Sequence, residues 1–317
     1  MPLICAILLL AATSALPLLA QTTDPAPPGR RVDLGGRKLH LLCKGSGSPS
    51  VILENGGGAF SIEWTLVQAQ VSPHTRICAY DRAGYAWSDR GPVDEGIEQI
   101  VTDLNQLLRK AEVSPSFILV GQSLGALYSR AYQRRYPEQI AGMIFVDGSS
   151  DENISMVRNG KRVPLSLVSR EELPEAHREY LSSVPVLKPG TAGSPPFDHL
   201  PLSLQKARQW AFEKMVREIG WLPNTLAAAE SWREEFTALR NDRLAEPHPL
   251  KDLPLRVIER TKDSNETWHQ QQIELSRLST NGSLIAAKDS GHMIHLENPT
   301  RVADTILELV RQLREQR

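Results

Sequence analysis

The chain has 317 residues, and its 36 basic and 37 acidic side chains give a formal net charge of −1. The two signs are mixed along the sequence, with no basic block and no aromatic–basic stripe, which argues against nucleic acid as a partner. A hydrophobic fraction of 41% is ordinary for a globular protein and argues against disordered and fibrous classes.

Leu3 to Leu19 is almost wholly apolar, with Pro17 and Ala20 near its end and the polar run Gln21 to Asp24 after it. This reads as a signal peptide over residues 1–20, cleaved after about Ala20. No Lys or Arg precedes the apolar run, so an uncleaved membrane anchor is the competing reading. The run is short for a span, and Pro17 interrupts it. Residues 21–30 read as a linker. No other segment is apolar enough to cross a membrane. The expectation is a secreted or periplasmic protein with no stable membrane insertion once the signal is removed. Cys5 would leave with the signal, and the remaining pair, Cys43 and Cys78, permits one disulfide in an oxidising compartment. Neither has a Cys or His at metal-ligand spacing, so no metal site is expected.

Arg31 to Lys44 contains strand-like runs around Gly35-Gly36, a hairpin turn signal. Val51-Ile52-Leu53 is a short apolar run that ends in Asn55-Gly56-Gly57-Gly58. Arg76 to Tyr80 is another strand, closed by Asp81. From Gly96 to Lys110 the residues Ile97, Ile100, Val101, Leu104, Leu107 and Leu108 fall on one helical face. Phe117 to Val120 reads as a buried strand, Leu124 to Tyr136 as a helix stopped by Pro137, and Met143 to Val146 as a strand. Between about Ser150 and Pro249 the sequence turns charged and proline-rich, with helical stretches and no clear strand series. The rhythm resumes with Leu255 to Ile258 and Leu284 to Ala287. A last helix follows Asn298-Pro299, an N-cap and a first-turn proline. Short apolar strands alternating with helices predict an α/β fold: a mostly parallel sheet with helices on both faces. The core would occupy residues 31–149 and 250–317, interrupted by one insertion, 150–249.

Gly121-Gln122-Ser123-Leu124-Gly125 matches G-x-S-x-G. Three residue types at about 7% each give roughly 0.1 chance matches in a chain of this length, so the motif alone is weak. Its setting strengthens it, because a strand runs in and a helix runs out, as a nucleophile elbow requires. The bland alternative is a glycine-rich turn with an idle serine. A serine hydroxyl needs a base. His292, after Gly291 and just beyond the last strand, is placed for that role, with His295 its competitor. The acid is open between Asp263, past the strand at Leu255 to Ile258, and Asp147, at the end of the preceding strand. Asp263 is preferred, and Glu259 and Glu297 trail. Either aspartate is also explicable as a loop carboxylate satisfying backbone N–H groups. Oxyanion donors would be the N–H of Leu124, at the helix start after the nucleophile, and that of Gly57, in the glycine turn, where backbone can approach a substrate closely. A plain turn is the alternative for Gly57.

Taken together with Tyr80-Asp81-Arg82-Ala83-Gly84-Tyr85-Ala86-Trp87-Ser88, these segments resemble the α/β-hydrolase superfamily, in its serine-nucleophile branch. The resemblance runs from Arg31 to the C-terminus and is weakest across the insertion. Ala86 stands where the family's second motif glycine is usual, and Asn55-Gly56 stands where its oxyanion turn has His-Gly. Aligning that turn puts Gly57 at the family's donor position, and aligning the later strand puts Asp263 at its acid position. The family's strand order would make the strands of Cys43 and Cys78 neighbours, and two free thiols are the alternative to a bridge. The insertion resembles a helical cap over the site. Trp210, Trp221 and Trp232 are candidates to line an acyl pocket there, or simply to pack the cap. The resemblance implies hydrolysis of an ester-like, small-molecule acyl substrate through a Ser-His-Asp triad, with no cofactor. Amide or carbon–carbon bond hydrolysis, and a non-catalytic hydrolase-like binding protein, are the alternatives. Oligomeric state is not indicated.

Overall fold

A computed structural model describes residues 24–92, 96–158, 160–183, 193–219 and 225–316. The expected signal peptide and Trp221 lie outside the described residues. Eight strands form the main sheet: β1 (Arg30–Asp33), β2 (Lys38–Lys44), β3 (Ser50–Glu54), β4 (Ile77–Tyr80), β5 (Phe117–Gln122), β6 (Ile140–Val146), β9 (Leu255–Arg260) and β10 (Gly282–Ala287). Their spatial order is β1-β2-β4-β3-β5-β6-β9-β10. Only the β1–β2 and β2–β4 pairings are antiparallel; every other pairing in this sheet is parallel. The β1–β2 hairpin turns at Gly35 and Gly36, both at positive φ, where the Asp33 carboxylate accepts their N–H groups.

The parallel strands are buried on both faces, and their side chains alternate accordingly. Along β5, Ile118 and Val120 pack with α1 (Thr65–Val71) and α9 (Pro299–Glu315). Phe117 and Leu119 face the opposite layer, which holds α2 (Ile97–Lys110) and α3 (Gly125–Arg135). The apolar stripe of α2 is buried from Ile97 to Leu108 as its spacing predicts. The side chain of Asn298 caps α9, accepting the Arg301 N–H at 3.1 Å. Cys43 and Cys78 are directly opposed on β2 and β4 and joined by a disulfide.

Between β6 and β9 the chain forms a hairpin of β7 (Ser155–Arg158) and β8 (Lys161–Pro164), then α4 (Leu173–Ser183), α5 (Leu202–Glu218) and α6 (Leu226–Ala245). The hairpin corrects the expectation that this stretch lacks clear strands. Two helices anchor it to the core. Trp232, Phe236 and Leu239 of α6 join the apolar cluster of α3, with Trp232 edge-on to Tyr128 at 6.1 Å. Ala207, Ala211 and Met215 of α5 pack on Phe60, Tyr85 and Trp87. Two ties reinforce the α5 contact: Arg208 pairs with buried Glu63 at 2.8 Å, and Lys214 donates to the Ala86 carbonyl at 2.7 Å. Part of the expected linker is pinned as well. The Trp87 indole donates to the Pro25 carbonyl, the Trp210 indole donates to Asp24, and β1 already begins at Arg30. Between Leu255 and Ala287, α7 (Glu266–Ser276) connects β9 to β10, and a short α8 (Ile294–Glu297) precedes α9. Among the described residues no helix is long and apolar enough to cross a membrane.

Candidate active site

Strand β5 delivers its chain to a turn that only glycines permit. A Cβ on Gly121 would lie 2.3 Å from the Gly125 carbonyl oxygen, and one on Gly125 would lie 2.3 Å from the Glu54 carbonyl oxygen. Between them Ser123 takes φ +53, a left-handed conformation that costs a non-glycine residue on the order of 1–3 kcal/mol. Three backbone bonds hold it there: Ser123 N–H to Val146 O at 3.1 Å, and Ser149 and Ala126 N–H to Ser123 O at 3.0 and 3.1 Å. The start of α3 follows at once, so the Leu124 N–H lies at a helix N-terminus.

The turn after β3 presses against this elbow. A Cβ on Gly56 would meet the Gln122 side chain at 2.3 Å and the Ser123 Cβ at 3.1 Å. Asn55, where the family pattern has His, braces the turn through its amide: Nδ2 donates to Tyr80 O at 2.7 Å, and Oδ1 accepts the Trp64 indole at 2.9 Å. Arg82 grips the same turn from beneath. Its guanidinium donates to Asn55 O at 2.8 Å and to Gly56 O at 2.9 Å, and it lies over the rings of Tyr85 and Tyr128. In a trans peptide the C=O and N–H point in opposite directions. Holding the Gly56 carbonyl inward therefore turns the Gly57 N–H outward. Among the described residues, neither the Gly57 nor the Leu124 N–H has a protein acceptor.

His292 enters on the loop after β10. Glu297 accepts the Gly291 N–H at 2.8 Å and so steadies the loop. The imidazole Nδ1 lies 2.5 Å from Oδ2 of Asp147. With Nδ1 donating to that carboxylate, Nε2 is left as the acceptor, and the Gln122 amide nitrogen lies 3.3 Å from it. Asp147 is fully buried at the end of β6 and also takes positive φ. Its other contacts are the Arg260 N–H at 3.2 Å, the Arg260 guanidinium at 3.1 Å and the Trp268 indole at 2.8 Å.

This geometry corrects the preference for Asp263. Strand β9 continues to Arg260, so Asp263 falls in an exposed turn beyond the sheet edge and makes no bond to His292. Asp147 follows β6 immediately, and β6 is the hydrogen-bonded neighbour of β9. Its N–H donates to Ile258 O at 2.7 Å, which sets its side chain between Arg260 and the His292 loop. The remaining candidates have other work. Glu259 pairs with His269 at 2.8 Å. His295 is buried, stacked on Trp64 at 4.5 Å, and burial pushes its imidazole down to about 3 with His292 adding to the effect. Asp147 and Trp268 carry no local motif that marks them, and Arg82 lies within the Tyr80 to Ser88 segment without being singled out by it. Only the strand order brings Asp147 to the imidazole.

Gly57, Ser123, Leu124 and His292 all line one cavity of about 410 Å³ beneath the insertion. Trp232 lines it as well as packing α6, whereas Trp210 is packed on Trp87. A larger cleft, about 640 Å³, lies between α3, α6 and residues 248–251 and holds none of these groups. The smaller cavity is the candidate site because the chemistry converges there.

The family model described as "Alpha/beta hydrolase family" matches residues 51–305. The uncharacterised protein YqjL of Bacillus subtilis is 25% identical over 256 residues, 81% of this chain and 81% of YqjL. An uncharacterised protein of Schizosaccharomyces pombe is 29% identical over 147 residues, 37% of this chain, and the matched part spans 27% of that relative's length. Among solved structures, a thermophilic esterase from Thermogutta terrifontis superposes with a TM-score of 0.57 at 20% identity, covering 87% of this chain and 94% of that one.

Proposed function

Because this chain belongs to the alpha/beta hydrolase family, we propose that it is a serine hydrolase of ester-like acyl substrates, with Ser123 as nucleophile, His292 as base and Asp147 as the acid. In this reading Ser123 Oγ attacks the acyl carbon while Nε2 of His292 takes its proton. The negative charge that develops on the carbonyl oxygen is met by the N–H groups of Gly57 and Leu124. Collapse of the adduct breaks the bond to the alcohol, which leaves with the proton from His292. Water, deprotonated by the same imidazole, then attacks the acyl-enzyme and releases the acid and free Ser123. Asp147 fixes the imidazole tautomer and stabilises the imidazolium formed at each attack. The Arg260 and Trp268 donors keep that carboxylate oriented.

The observation that carries the reading is convergence: a serine on a strained elbow, two N–H groups without protein acceptors and an imidazole held by a buried carboxylate line one cavity. The esterase among the structural neighbours, at 20% identity, speaks to the fold alone. We also propose export to the periplasm or beyond. The apolar first twenty residues support it, as does the Cys43–Cys78 bridge, a bond that persists in oxidising compartments.

The test is covalent labelling. A fluorophosphonate is expected to modify the wild-type protein, and Ser123→Ala is expected to lose both labelling and turnover across a panel of esters of graded chain length. Undiminished labelling of Ser123→Ala overturns the nucleophile. Ligand binding without turnover by the wild type overturns the enzymatic reading in favour of a binding protein.

A further inference from the structure

The cavity over Ser123 is electrically one-sided. Its insertion-side wall includes Met156 and Arg162 of the β7–β8 hairpin and Tyr180 of α4. No aspartate or glutamate is among its described lining residues, and apart from His292 the lining side chain that can carry charge at neutral pH is Arg162.

Other arginines near this region are neutralised. Arg158, on the same hairpin, pairs with Glu172 at 3.0 Å. Arg130 and Arg243 share buried Asp151 at 2.9 and 3.1 Å. Arg208 is held by Glu63, and Arg260 by Asp147. Arg162 has no side-chain hydrogen bond or ion pair among the described residues. Its charge nevertheless reaches the Tyr180 hydroxyl. Burial raises that phenol to about 12, and Arg162 acts in the opposite direction. A guanidinium that lines the same cavity as this phenol, with no carboxylate among the described lining residues, presents a planar fork of donors that matches a carboxylate. The cavity lies within the size range of small-ligand sites, and both Arg162 and Ser123 line it.

We propose that Arg162 is a specificity-determining residue that binds the free carboxylate of an anionic substrate, and that the preferred substrates are short acyl esters ending in a carboxylate, such as half-esters of dicarboxylic acids. This rests on the serine hydrolase reading for the chemistry but not for the binding. The guanidinium would orient the acyl chain with its carbonyl toward Gly57 and Leu124, and the positive cavity would draw anions in.

The experiment pairs two esters of equal carbon count, mono-4-nitrophenyl glutarate and 4-nitrophenyl valerate, on the full chain. The readout is the ratio of their kcat/KM values in wild type, Arg162→Gln and Arg162→Lys, each checked for folding by circular dichroism. The wild-type ratio is expected to exceed that of Arg162→Gln by about tenfold, mostly through KM, with Arg162→Lys between them because it keeps the charge and loses the fork. Raising salt from about 0.05 to 0.5 M is expected to lower the wild-type ratio and leave that of Arg162→Gln flat. Equal ratios in wild type and Arg162→Gln overturn the proposal. In parallel, glutarate is titrated calorimetrically into Ser123→Ala with and without Arg162→Gln. Arg162-dependent glutarate binding without hydrolysis of either ester sustains the carboxylate site and sinks the hydrolase reading. Hydrolysis of both esters at an Arg162-independent ratio, with no glutarate binding, does the reverse.

Discussion

The elbow at Ser123 and the insertion above it are held in opposite ways. At the elbow, backbone meets backbone. Gly121 and Gly125 are obligatory because an added Cβ would strike carbonyl groups at 2.3 Å, and the neighbouring turn closes in until a Cβ added to Gly56 would lie 3.1 Å from the Ser123 Cβ. The insertion is held by side chains. Trp232 and Phe236 fit an apolar cluster on one side, Ala207, Ala211 and Met215 fit another, and the ion pair of Arg208 with Glu63 ties α5 down. Backbone crowding tolerates one residue type, so it leaves a short motif. Side-chain packing tolerates many combinations of similar volume, so it leaves little more than composition. The difference separates an elbow written locally in the sequence from an insertion free to vary.

That contrast breaks first, and most severely, at the acid. Asp147→Asn is expected to lower kcat on an activated ester by about 10³ to 10⁴-fold, because the amide no longer imposes the working tautomer on His292. Asp263→Asn, in its exposed turn, is expected to stay near wild type. Comparing the two folded variants on one substrate decides the matter; an inactive Asp263→Asn beside an active Asp147→Asn reverses the assignment. The insertion answers in a different currency. Trp232→Ala, which empties a buried site against Tyr128 and Phe236, is expected to lower stability by about 3–5 kcal/mol. Denaturant melts of the variant measure it. A loss below 1 kcal/mol would mean that Trp232 serves the cavity rather than the packing.

The sheet was legible because its strands and helices obey clean periods. Phe117 to Val120 and the Ile97 to Leu108 stripe are buried as read, and G-x-S-x-G sits between a strand and a helix. Elements without a stripe were not legible. Helix α7 buries only Gln272 and Leu275 of its eleven residues, α1 has two turns, and β7–β8 is a short, partly exposed hairpin. The carboxylate partner of His292 was not legible for a related reason. Asp147 and Asp263 both follow strands, and they are told apart only by how far β9 runs and by the adjacency of β6 and β9, facts of pairing that neither local sequence contains.

Arg82 sharpens the comparison within the core, where one side chain assists the backbone. Arg82→Lys keeps a buried cation under the turn but cannot hold the Asn55 and Gly56 carbonyls together. The Gly56–Gly57 peptide then gains freedom, and kcat is expected to fall about 10- to 100-fold with little change in KM, as for partial loss of one oxyanion donor. A rise in KM at constant kcat would place the residue in substrate binding. An unchanged kcat in a folded variant would remove it from the site altogether.

The smallest effect concerns the other histidine of the loop. His295 is buried on Trp64, its Nδ1 has no partner among the described residues, and its folded pKa is about 3 where an ordinary imidazole titrates near 6.5. Below pH 6.5 the unfolded chain therefore binds a proton that the folded protein refuses. Stability from this group is fully present above pH 6.5 and is lost as pH falls toward 3, by about 2 kcal/mol between pH 7 and pH 5. Glu63 works in the opposite direction. Burial raises its carboxyl to about 6 despite Arg208, so the folded state takes up that proton first and gains stability as pH falls from about 6 to 4.5. A single acid-stability curve sums the two and can look nearly flat. The difference between variants isolates one. His295→Phe keeps an aromatic ring on Trp64 and removes the titration, so it is expected to lose about 2 kcal/mol less than wild type between pH 7 and pH 5 in urea melts. Parallel curves for the two proteins would show that the imidazole finds a proton-accepting partner inside the fold, and that acid sensitivity arises elsewhere.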